Sequence, residues 1–182
     1  MVKILQRDEP VLRKIAEEVA IEEIKGSKIK KVIADMKAAL KSQDDGVAIA
    51  APQIGQPLRI FVISKELINN ILGKEKEKDQ KSKIVQIQNE VFINPVITKL
   101  SKDRQMMEEG CLSVRYLYGK VSRASRASIR AYDEDGRLFE RGASGLLAQI
   151  FQHEVDHLNG ILFIDSATDL EEVPPEKGQK SS

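Results

Sequence analysis

SGLLAQIFQHEVDHLNG, residues 144–160, has the spacing of a helix that carries chemistry on its apolar side. Ser144 is placed to cap the amino end, and Gly160 can take the left-handed conformation past the carboxyl end. Helical spacing puts Leu146, Ile150, His153 and His157 on one line and Leu147, Phe151, Glu154 and Leu158 on the next. Gln149, Gln152, Asp156 and Asn159 form a third line, polar and expected to face water. Imidazoles four residues apart can share one ion, and a glutamate beside the first can reach water activated there. A carboxylate on an apolar face is costly unless something compensates it, and a divalent cation does. The rival reading is a pair of hydrogen-bonded core histidines, and Glu154 beside His153 argues against it. These are also the only two histidines of the chain. Asp156, on the polar line, suits a solvated or supporting role better than ligation.

A catalytic ion of this kind takes three protein ligands and keeps one position open. The extended pattern H-E-x-x-H-x-x-G-x-x-H fails at its last position, where Phe163 stands. A glutamate from a later helix fails too, because Glu171, Glu172 and Glu176 lie in a short tail with prolines. The strong ligand type left is a thiolate, and Cys111, in EEGCLSV, is the single cysteine. Gly110 before it allows close backbone approach to a bound group. A lone cysteine is also commonly a small buried apolar residue, so the residues alone leave both readings open.

Further out, Ile29, Val32, Ile33, Met36, Ala39 and Leu40 recur at helical spacing over 28–41, with Ser27 as the expected cap and Asp44-Asp45-Gly46 as the stop. PLRIFVIS (57–64) reads as a buried strand. So does VFINPVITKL (91–100), where Pro95 predicts an edge position or a bulge. ASIRAYDEDGRLFE predicts a hairpin turning at Asp135-Gly136. A charged low-complexity stretch at 73–83 reads as a solvated insertion, within limits near 70–88. The residues from 166 to 182 read as a loosely attached polar tail after a single domain of 1–165.

The 182 residues can bury a core unaided. Their 29 basic and 28 acidic side chains leave no bulk charge to draw nucleic acid or an anionic membrane. No apolar run approaches the roughly 20 residues that span a bilayer. MVKILQRDEP meets charge too early for a secretory signal, and one cysteine suits a reducing compartment. The expected address is the cytoplasm of a bacterial-type cell, or an organelle if a transit peptide has been removed.

Three segments in order, GVAIAAPQ (46–53), EGCLS (109–113) and HEVDH (153–157), resemble the peptide deformylase family; DEPVLRKIA and the DEDG turn extend the likeness over most of residues 1–165. The resemblance implies removal of the formyl group from N-formylmethionyl nascent peptides, with transient ribosome association. It implies one divalent ion per chain on Cys111, His153 and His157, natively Fe2+, with Zn2+, Ni2+ or Co2+ able to substitute. Glu154 would move a proton from the attacking water to the leaving amine. The Gln53 amide and the Leu112 backbone N–H would stabilise the oxyanion, and Glu109 would pair with Arg123. The peptide is expected to lie extended along Gly46, Val47 and Ala48, its methionine in a pocket lined by Val47, Leu146 and Ile150. Two departures bear on the groove: Ala48 stands where the family usually has a second glycine, and VRYLYG (114–119) lacks the proline many members carry soon after the serine.

The fold expected is α+β: antiparallel strands packed around a central metal-binding helix, with amino-terminal helices outside. The rival enzyme is a small zinc peptidase cutting internal bonds, disfavoured by Phe163. The rival without catalysis is a structural metal site or a silent binder of formylated peptides. Glu154 and Gln53 argue against it, since a closed structural site needs neither.

Overall fold

The computed structural model describes residues 2–64 and 91–173. The charged insertion expected near 70–88 lies outside them. Among the described residues there are eight strands and two α-helices: α1 (Ser27–Lys41), β1 (Ala48–Ala50), β2 (Ile60–Ile63), β3 (Val91–Leu100), β4 (Arg104–Cys111), β5 (Val114–Ala124), β6 (Arg126–Tyr132), β7 (Leu138–Ser144), α2 (Gly145–Leu158) and β8 (Thr168–Glu172). Short 3-10 turns occur at Pro10–Arg13, Ile21–Glu23, Ala51–Ile54 and Phe163–Asp165. One antiparallel sheet has the order β1-β2-β3-β6-β7, and a second has the order β4-β5-β8. This is the expected α+β arrangement.

The first sheet is covered on both faces at β1, β2 and the start of β3, and the sequence there shows why. In β2, Ile60 and Val62 join the cluster around α1, whereas Phe61 and Ile63 join the cluster around α2. A strand buried on both sides has no polar face to alternate with, so it reads as an unbroken apolar run. β3 continues the division, with Val91 and Ile93 towards α1 and Phe92 towards α2. Phe61 stacks on Phe92 with ring centroids 4.4 Å apart, and Phe92 meets Phe151 of α2 at 5.4 Å. All six residues assigned to the apolar face of α1 are buried.

Pro95 sits in an interior strand rather than at an edge, and the ladder accommodates it by a register shift between Ile93 and Val96. There Asn94 adopts a φ of 49°, and its side-chain amide holds both the N–H and the C=O of Val19. The 133–137 turn is built as expected: Gly136 has a φ of 73°, and the Asp133 carboxylate accepts from the N–H groups of Asp135 and Arg137.

Three expectations are corrected. α1 begins at Ser27 itself, with Gly26 in the capping position. Ser144 does cap α2 in position, but its side chain makes no capping hydrogen bond. The chain beyond 166 is not loose throughout: residues 168–172 form β8, paired with β5 through Leu117–Glu172, Tyr118–Glu171 and Lys120–Thr168. Every residue of β8 is exposed, so it carries no apolar signature and is held by backbone pairing to an otherwise bare edge.

Candidate metal centre and groove

α2 lies between the two sheets, and that placement overturns the reading of its polar line. Gln149 and Gln152 are buried rather than solvated. Gln152 closes a two-bond clasp on Ala124 at the end of β5, donating to its C=O and accepting from its N–H, both at 3.0 Å. Gln149 donates to the Glu108 carbonyl at 2.8 Å. The line faces the edge of the second sheet, where the partners for polar groups are backbone amides instead of water. Asn159 alone of the four is exposed.

The apolar side of α2 turns both histidines towards the end of β4. Cys111 Sγ lies 3.2 Å from His157 Nε2, and one ligand atom from each of Cys111, His153 and His157 falls within 4.8 Å of the others. His153 is oriented from behind. Its Nδ1 lies 2.9 Å from Glu109 Oε2, and Glu109 is held by Arg123 in a two-pronged pair at 2.7 and 3.0 Å. Asp156 contacts the same guanidinium at 2.6 Å, which is a supporting role. A carboxylate accepting from Nδ1 fixes the imidazole so that Nε2 is left free for an ion.

The electrostatics follow from this burial. Burial pushes the Glu109 carboxyl up, but hydrogen bonds from His153 and Arg123 outweigh it and hold it at about 2. Burial also pushes the Cys111 thiol up, and the facing imidazoles of His157 and His153 bring it down to about 5. Glu154 goes the other way, raised by burial to about 7 despite the histidines nearby. Its Oε2 and the Nδ1 of His157 are buried without a hydrogen-bond partner. A thiolate and two imidazoles form a donor set that fits a divalent transition-metal ion, with the unpartnered Glu154 oxygen buried at the same groove.

Gln53 enters from the 3-10 turn after β1. Its Oε1 accepts from the Ala50 N–H at 2.8 Å, which fixes the amide. The NH2 end therefore faces the cluster, 3.0 Å from Ser113 Oγ and 3.6 Å from Cys111 Sγ. Leu112 occupies the tight turn between β4 and β5, and its carbonyl accepts from Gln6 at 3.1 Å. Gly110 lines the groove, and a Cβ there would also lie 2.7 Å from the Tyr118 ring, which packs over it.

A groove of about 260 Å³ opens onto this cluster. Val47, Ala48, Leu146 and Ile150 line it, together with Gln53, Cys111, His153 and Glu154. Val47 and Leu146 are exposed, while Ala48 and Ile150 are buried. Gly46 is not among the lining residues; it turns the chain between α1 and β1, where a Cβ would meet Leu40 at 2.8 Å. The sequence reading missed Ser113, Gln149, Asp45 and the Arg115–Tyr118 wall as individual contributors. Only the departure of residues 114–119 from the family pattern pointed to that wall.

The family model described as polypeptide deformylase matches residues 1–173. The peptide deformylase of Mesorhizobium japonicum is 38% identical over 162 residues, 89% of this chain and 81% of that protein. Peptide deformylase 1A, chloroplastic/mitochondrial, of Arabidopsis thaliana is 39% identical over 165 residues, 90% of this chain and 60% of its own length. The Met-Ala-Ser-bound crystal structure of a class I type b peptide deformylase from Acinetobacter baumannii superposes with a TM-score of 0.75 at 29% identity, covering 91% of this chain and 98% of the other.

Proposed function

The chain belongs to the peptide deformylase family, and from that premise we propose which of its residues carry the reaction. The activity is metal-dependent hydrolysis of the formyl group at the N-terminus of formylated peptides. Cys111, His153 and His157 hold the ion, with ferrous iron as the resident metal and Zn2+, Ni2+ or Co2+ as working substitutes. When bound, the ion supplies a Lewis acid and makes hydroxide available near neutral pH.

The remaining chemistry belongs to the side chains. Glu154, buried at the groove with one oxygen unpartnered, accepts a proton from water and returns it. The water oxygen bonds to the formyl carbon as that proton leaves. Glu154 then passes it to the departing nitrogen while the C–N bond breaks, releasing formate and a free amine. The Gln53 amide and the Leu112 N–H receive the oxyanion charge. Glu109 and Arg123 hold the His153 ring in place. The peptide lies along Val47 and Ala48 with its methionine against Leu146 and Ile150, all four of which line the groove; that the Acinetobacter baumannii relative is bound to Met-Ala-Ser supports a peptide ligand.

One observation carries this assignment: three ligand atoms converge within 4.8 Å beside a buried Glu154 oxygen without a partner, at a groove. The test is formate release from formyl-Met-Ala-Ser by protein purified anaerobically with ferrous iron, beside metal-loaded Glu154→Ala. The parent releases formate and the variant falls by about 10²–10⁴-fold while still holding one ion. Equal rates would remove Glu154 from the mechanism. Iron is tested by reconstituting the metal-free chain with each ion in turn. Transient ribosome association is checked by co-sedimentation. Among the described residues no helix is long and apolar enough to cross a membrane. A bacterial-type cytoplasm or an organelle, the address carried in the name of the Arabidopsis relative, is checked by imaging a tagged full chain.

A further inference from the structure

The two walls of the groove are joined at its outer end by a single guanidinium. Gln53 stands at the inner end, beside Cys111, and the chain leads outward from it through Ala48 and Val47 to Asp45. Exposure rises along the way, from 2% at Gln53 through 6% at Ala48 to 41% at Val47. On the opposite wall the chain leads outward from Cys111 to Arg115. Arg115 Nη1 bonds Asp45 Oδ2 at 2.7 Å, and Nη2 bonds the Gln43 side-chain oxygen. Both Arg115 and Asp45 line the groove, and their side chains are 28% and 57% exposed.

Among the described residues, the charged groups lining the groove away from the metal cluster and Glu109 are Asp45, Arg115 and the exposed Glu108. Glu109 lies deeper and is neutralised by Arg123. Without Arg115, the outer groove would present two carboxylates and repel an acidic peptide. An ion pair this exposed contributes little, so it exchanges partners at little cost. A guanidinium accommodates an incoming carboxylate in the same two-pronged way it holds Asp45 and Gln43. Next to it Tyr116 adopts a φ of 66°, unusual for a bulky residue, and its carbonyl accepts from the Val173 N–H at 2.8 Å.

We propose that Arg115 is a specificity-determining residue that receives acidic side chains downstream of the formylmethionine, its bridge to Asp45 and Gln43 being the peptide-free state. The inference rests on the peptide occupying this groove.

The experiment compares kcat/KM for two amidated peptides, formyl-Met-Ala-Glu-Ser and formyl-Met-Ala-Lys-Ser, and reads the acidic-to-basic ratio. Arg115→Gln lowers that ratio by roughly threefold, through KM, and Asp45→Asn raises it by a similar factor; both effects shrink as salt is added. In an Arg115→Gln background, Asp45→Asn gives a smaller rise than in the parent. If the bridge only braces the groove, both single variants break it and shift the two peptides alike, which overturns the proposal. An unchanged ratio, or an equal rise with and without Arg115, overturns it as well. The parent's formate release from formyl-Met-Ala-Ser, measured first, reports separately on the reaction itself.

Discussion

Glu154 and Glu109 are both buried carboxyls near the same histidines, yet their protons are held oppositely. Glu109 is held by the Arg123 guanidinium on one side and the His153 imidazole on the other, whereas one oxygen of Glu154 has no partner. A carboxyl raised to about 7 when folded and near 4.3 when unfolded contributes stability below pH ~4.3 and loses it as pH rises through about 7. The metal-stripped protein is therefore expected to unfold at lower urea between pH 5 and 8 as pH rises, and Glu154→Gln to flatten that slope. A steeper slope in the variant would contradict the assignment. Glu109 has the reverse sign. At about 2 in the folded chain, it stabilises above pH ~4.3, and that contribution is lost as pH falls through about 2. Glu109→Gln removes the charged acceptor behind His153 and leaves Arg123 buried with half its partners. Metal affinity, measured by chelator competition, is expected to fall about 10–100-fold.

Among the elements, α2 gives the sharpest test, because its polar line divides. Gln152→Ala opens the clasp on Ala124 in a buried setting and should cost about 2–3 kcal/mol, lowering Tm by roughly 5–10 °C. Asn159→Ala, at an exposed position, should cost less than about 1 kcal/mol. Similar losses at both would mean that the line is solvated after all. The apolar period of α1 was legible because burying six side chains on one face imposes it. The polarity of Gln149 and Gln152 was not enough to place them: it states that a partner is required, and the partner is 28 to 41 residues away in sequence. β8 was illegible for a related reason, since an exposed strand on a bare edge has only backbone bonds to specify it. In the metal cluster, the spacing of His153, Glu154 and His157 is local and could be read directly. Ser113 beside Gln53 and Arg115 beside Asp45 are pairings made by the fold, and no spacing announces them.

Over the whole molecule, the groove is a seam between two sheets, with β1 on one side and the β4–β5 hairpin on the other. β8 backs the outer wall by pairing with Leu117 and Tyr118. Ending the chain at Ala167 is expected to raise KM for formyl-Met-Ala-Ser several-fold with kcat nearly kept, because the metal cluster does not touch β8. It also bares the β5 edge, so concentration-dependent self-association should appear in sedimentation. Loss of kcat with KM unchanged would show that β8 supports the centre itself. β2 brings a different consequence. The faces of Phe61 and Ile63 are covered by α2, which is synthesised more than eighty residues later. At about 5–20 residues per second, an uncharged Ile-Phe-Val-Ile segment waits roughly 4–17 s for its cover. During that interval it is a β-prone run whose gatekeepers are the flanking charges Arg59 and Lys65, so neutralising Arg59 should make the yield of soluble protein depend more steeply on translation speed and on chaperone supply.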